Sequence, residues 1–215
     1  MITRFQILNL LKDCYTPKMN NIIEYGKFKP TGKQKKKKQI IISHTSRDID
    51  NYLVSLTNRR NGKYDKIPNY VIDREGKILK LLNDNEHTNY FNDKNINRNG
   101  IIISLENLGW LAKLPLSGSY VNWIGTKYDG LVVDKKWREN FIWQPYTDIQ
   151  MKSLGSLCKK IIKDNSIVNN CIGHNTKVIG VNKFEGIVVK SNYDAEYTDV
   201  SPAFDFETFS KYLSE

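Results

Sequence analysis

Three short apolar runs, each ending on a chemically capable side chain, constrain this chain most. Ile40-Ile41-Ile42-Ser43-His44 is apolar on consecutive positions, the pattern of a strand buried on both faces. Ile101-Ile102-Ile103-Ser104-Leu105-Glu106 has the same form, ends on a carboxylate, and is apolar enough to sit centrally in a sheet. Cys171-Ile172-Gly173-His174 again ends on an imidazole. With 3 histidines in 215 residues, two in such matched contexts stand out.

Helices are expected between the strands. Ile49, Tyr52, Leu53 and Leu56 recur at helical spacing within 48–61. Thr147 and Gln150 form a T-x-x-Q capping box, and Leu154, Leu157, Cys158, Ile161 and Ile162 then fall on one stripe. Asp205 is placed to cap a last helix with Phe206, Phe209, Tyr212 and Leu213 inward. Residues 70–72 and 78–79 read as a hairpin around Arg74-Glu75-Gly76-Lys77. The class is therefore α/β, a central mixed β-sheet flanked by helices. Residues 120–143 carry Trp123, Tyr128, Trp137 and Trp143 and read as an excursion of strands or loop, either a groove wall or a local ring cluster.

Length fits a single core, taken as 39–215, after an N-terminal leader at 1–38 that is basic, weakly helical at Ile7–Leu11, and packed on the core or partly mobile. The net charge of +10 comes partly from the run Lys33-Gln34-Lys35-Lys36-Lys37-Lys38. Without interleaved aromatics this run reads as a solvated loop, and nucleic acid is not the expected partner. A basic surface also suits retention on anionic polymers. The scattered Cys14, Cys158 and Cys171 imply no disulfide framework. No stretch reaches membrane-span length and the N-terminus does not read as a signal peptide, so cytoplasmic synthesis is expected.

Two imidazoles and a carboxylate form a usual three-ligand set for catalytic zinc, and the late segment Thr198-Asp199-Val200-Ser201-Pro202-Ala203-Phe204-Asp205-Phe206 supplies the acid. On spacing alone, a hydrogen-bonded structural histidine remains equally open. The segments IISHTS, IPNYVIDREGKI, GIIISLENLG, WQPYTDIQ, IGHN and TDVSPAFDF, in that order from Gln39 onward, resemble the zinc-dependent N-acetylmuramoyl-L-alanine amidases. That group includes phage lysins, cell-wall recycling amidases and peptidoglycan recognition proteins.

The resemblance implies one Zn2+ per chain, in a groove at one edge of the sheet, held by His44, His174 and Asp199, with Glu106 as acid–base. Burial at a strand end should raise the Glu106 pKa. His87, Asn69 and Tyr197 fall where the family lines the groove, and are expected to contact substrate. The implied reaction is cleavage of the amide between N-acetylmuramic acid and L-alanine in peptidoglycan or a muropeptide, by a monomeric, phage-type lysin acting on the cell wall. The alternative is a non-catalytic peptidoglycan-binding module of the same fold.

Departures from the family pattern are visible. Pro68 replaces a tyrosine used by some members, which points to the glutamate-dependent branch. Tyr197 stands where recycling-type members carry a basic residue, and nothing in the sequence brings Lys183 or Lys190 in to replace it. The interval from His174 to Asp199 is long and includes the strand-like Gly186-Ile187-Val188-Val189, which leaves Asp194 as a substitute ligand.

Overall fold

The computed structural model describes residues 22–26, 28–115 and 118–215. In chain order it builds strands β1 (Ile22–Glu24), β2 (Gly32–Lys33) and β3 (Gln39–His44), helix α1 (Ile49–Asn58), and strands β4 (Tyr70–Ile72), β5 (Ile78–Lys80) and β6 (Glu86–His87). Helix α2 (Lys94–Asn99) leads into β7 (Gly100–Leu105). Five further strands follow: β8 (Trp110–Lys113), β9 (Tyr120–Asn122), β10 (Lys127–Tyr128), β11 (Val133–Trp137) and β12 (Asn140–Trp143). Helix α3 (Asp148–Asn165), strand β13 (Gly186–Val189) and helix α4 (Phe206–Ser214) complete the order.

Six strands form the central sheet in the order β1-β5-β4-β7-β3-β13. Only the β4–β5 pair, the hairpin legible in sequence, is antiparallel, so the sheet is mixed. β3 and β7 are buried along their whole length, as continuous isoleucine runs require. They pair in register, Ile42 with Ile103 and His44 with Leu105, so their C-terminal ends emerge together.

Strand alternation sends successive isoleucines to opposite faces. Ile40, Ile42, Ile101 and Ile103 pack against Leu154, Leu157 and Ile161 of α3 and Phe209 of α4. Ile41, Ile102 and Val188 pack on the other face with Phe91 and Val181. Helix α3 opens with the capping box read from its sequence, both reciprocal hydrogen bonds being present. Asp205 caps α4 as expected, accepting from the amides of Glu207 and Thr208.

The aromatic excursion forms a sheet of its own, antiparallel in the order β10-β9-β8-β12-β11. Trp143 is its fully buried anchor, donating its indole N–H to the Lys135 carbonyl at 2.8 Å and packing against Trp137.

The lysine run departs from a uniformly solvated loop. Lys37 is buried, its Nζ donating to the carbonyls of Glu86 at 3.2 Å and Gly100 at 3.0 Å. The chain there is already turning into β3, and the alternation that buries the strand takes one lysine inward. β1 and β2 lie within the segment read as a leader, with β1 paired to β5 and β2 to β6. Residues 1–21, including the helical reading at Ile7–Leu11, lie outside the described residues. Among the described residues no helix is long and apolar enough to cross a membrane.

Candidate functional site

Register decides what meets at the C-terminal edge of the sheet. His44 ends β3, nearly buried, with Nδ1 3.1 Å from the Tyr146 hydroxyl. Over its other nitrogen passes Gly109, in the left-handed region at φ 77, where an added Cβ would lie 3.2 Å from Nε2. Only glycine combines that φ with so close an approach. Burial lowers the His44 pKa to about 4, Asp199 opposing the shift and Lys190 adding to it. The imidazole is therefore neutral at pH 7.

Beside it, the Ser43 hydroxyl donates to Asp199 Oδ2 at 2.5 Å. A carboxylate only accepts and Ser43 has a single proton, so the Tyr90 hydroxyl at 2.8 Å must donate to Ser43. The same Asp199 oxygen accepts from Lys190 Nζ at 3.1 Å. Burial alone would raise the Asp199 pKa, but Lys190, His44 and Ser43 together hold it below the usual carboxylate value. For Lys190 burial opposes the charge, yet Asp199 and Tyr90 raise its pKa above the ordinary lysine value. The Lys190 ammonium also stands 4.6 Å from the Tyr197 ring centre and 5.6 Å from that of Tyr90.

These groups open onto a groove of about 190 Å³. His44, Asp199 and Lys190 line it; Arg47, Arg59 and Lys66 supply further positive charge; Tyr64, Tyr197 and Trp123 supply rings. Trp123, in the turn after β9 of the second sheet, is the residue of the aromatic excursion that lines it. It is 56% exposed.

The other sequence-derived candidates are distributed differently. Glu106 lies just past β7, with Oε2 accepting from the Arg74 amide at 3.1 Å and a pKa raised by burial. It is absent from the groove lining. His174 is exposed, its Nδ1 engaged by the Thr176 hydroxyl at 2.9 Å. Asp194 caps a turn, accepting from the Glu196 amide at 3.1 Å.

Asn69 is buried and fully committed to backbone: its amide donates to the carbonyls of Asn83 and Glu86 and accepts from Ile102. His87 sits on β6 against Gly32 with its Nδ1 buried and unpaired, and lines no part of the groove. Tyr197 does line it, and accepts a hydrogen bond from Arg138 at its carbonyl.

The donor set therefore brings His44 and Asp199 together but leaves His174 outside. Among the described residues no three His, Cys, Asp or Glu side chains converge as a metal site. As arranged, these residues do not fit a three-ligand zinc ion, since the third position beside His44 and Asp199 is held by Lys190, a donor without a free lone pair. From sequence, Lys190 is one of two lysines, with Lys183, that could stand in for the family's basic residue near Asp199, and nothing in the sequence brings either in; the pairing of β13 with β3 selects Lys190.

Comparison with known proteins adds the family. The model described as N-acetylmuramoyl-L-alanine amidase matches residues 33–185, which include His44, Glu106 and His174 and stop short of Lys190 and Asp199. Comparison with curated protein sequences returns no match. Among solved structures, N-acetylmuramoyl-L-alanine amidase LysC from Clostridium intestinale URNW is similar at 14% identity with a TM-score of 0.55, over 93% of this chain and 99% of that one. The endolysine N-acetylmuramoyl-L-alanine amidase LysCS from the same organism is similar at 13% identity and a TM-score of 0.56, over 92% and 97%. These two likenesses concern the fold; the match over 33–185 carries the assignment, and the chain belongs to the N-acetylmuramoyl-L-alanine amidase family.

Proposed function

We propose that this chain engages peptidoglycan, taking a muramoyl-peptide into the groove with the amide next to muramic acid over His44 and Asp199. The observation that carries the reading is the composition of the groove in a chain of this family. Muramoyl-peptides join a sugar to a stem bearing carboxylates. Rings such as Trp123 and Tyr64 offer flat faces to the sugar, and Arg47 and Arg59 offer paired donors to the carboxylates. Neutral His44 lines the groove, and Gly109 passes over its Nε2 without a side chain to cover it.

The second reading is zinc-dependent cleavage of that amide by a phage-type lysin, with His44, His174 and Asp199 as ligands and Glu106 handling protons. Family membership favours it, as does the raised pKa of Glu106. It requires His174 to leave Thr176 and Lys190 to leave Asp199.

Co-sedimentation of the full chain with purified sacculi tests the first reading. Wild type is expected in the pellet, and Trp123→Ala together with Arg59→Ala is expected to return most of it to the supernatant. Wild type that stays in solution with sacculi of every stem type would end the proposal. Newly exposed L-alanine amino termini, accumulating only when zinc is supplied and lost in Glu106→Gln, would establish the second.

A further inference from the structure

The strand that neighbours β3 away from β7 is β13, and the side chain it delivers at its C-terminal end is Lys190. The register sets Val189 beside Ile42, so Lys190 emerges level with Ser43, one residue before His44. His174 follows a different segment. Cys171 bridges to Ile187 on the side of β13 that β3 does not occupy, one strand further from His44.

We infer that the Lys190 ammonium holds, between His44 and Asp199, the place a divalent cation would otherwise take, so that the groove carries a built-in fixed cation. The inference deepens the reading of this groove as a muramoyl-peptide site and rests on it for the ligand alone. Three observations carry it. Asp199 Oδ2 already accepts from both Ser43 and Lys190, so this oxygen is committed to them and an incoming ion would have to compete with an ammonium already in contact. The ammonium is enclosed by this carboxylate and by the rings of Tyr197 and Tyr90, so it is held in place. A charged lysine cannot ligate, and it repels a second cation at contact distance.

Lysine has three N–H donors, and Asp199 takes one of them. Those remaining point a hydrogen-bonding positive charge into the groove, suited to a carbonyl or carboxylate of the bound stem.

The position is also one substitution from a ligand set. Lys190→His would set an imidazole beside His44 and Asp199. Equilibrium dialysis of the full chain against zinc chloride, followed by elemental analysis, reads this directly. Wild type is expected to retain no stoichiometric zinc. Lys190→His, and Lys190→His combined with His174→Ala, are each expected to retain about one zinc per chain.

Stoichiometric zinc on wild type overturns the inference, and its loss in His174→Ala would return the third ligand to His174. A Lys190→His chain that is folded by circular dichroism yet takes no zinc also overturns it, since Lys190 would then be an ordinary ion-pair partner. If Lys190→His does not fold, wild type decides alone: zinc taken up refutes, none supports. Sacculus binding measured on the same samples separates the two claims, because a wild type that binds neither wall nor zinc removes the ligand reading and leaves the lysine assignment standing.

Discussion

Lys37 shows how a single side chain here turns burial into a measurable pH dependence. Its Nζ is satisfied by two carbonyls, but burial lowers its pKa to about 8, with Asp84 opposing. Between pH 8 and the unfolded value of 10.5 the unfolded chain binds the extra proton, so stability rises with pH through that window. The melting temperature of wild type relative to Lys37→Met should therefore increase from pH 8 to 10, and a pH-independent difference would contradict the burial argument. At this scale the sequence was legible where chemistry and position coincide. His44 at the end of an isoleucine run and Asp199 in the TDVSPAFDF segment do lie together at the sheet edge. Lys190 could be named only as an alternative to Lys183, because nothing local brings either to Asp199 until the pairing of β13 with β3 is known. Asn69, placed among substrate contacts by resemblance, has every donor and acceptor of its amide on backbone.

Helices α3 and α4 were readable nearly end to end, since caps and stripes are local signals. The cap can be tested: Thr147→Ala removes the oxygen that accepts from the Gln150 amide, and should cost about 1 kcal/mol in urea unfolding. What no local pattern announces is how closely the two helices approach. A Cβ added at Gly155 would sit 2.8 Å from Tyr212 Cβ and 2.9 Å from its carbonyl, both too rigid to give way. Gly155→Ala, a favourable exchange in an exposed helix, should here destabilise by roughly 1–3 kcal/mol through overpacking. A gain in stability would mean that α4 is free to move away. Two-residue strands such as β2, β6 and β10 left no periodicity to read. The sheet from β8 to β12 was visible only as an aromatic-rich excursion, because its strands are short and interrupted by charges.

Across the molecule, a net charge of +10 and a groove rimmed by arginine and lysine act at different ranges. Attraction to an anionic wall polymer is long-range and screened within about 8 Å at 0.15 M salt, whereas ring stacking in the groove is not. Sacculus binding by wild type should thus weaken steeply as salt rises. Trp123→Ala should lower it by a similar factor at every ionic strength, and a Trp123 effect that vanished at high salt would argue against stacking. Two of the four tryptophans mark the extremes, Trp143 sealed inside the second sheet and Trp123 open at the groove, while Trp110 and Trp137 are half-buried. The chain thereby carries an internal optical reference beside an optical sensor. Iodide, drawn to the positive rim, should quench the red-edge emission of Trp123 and spare the blue component of Trp143, and a ligand entering the groove would announce itself by shielding the first without touching the second.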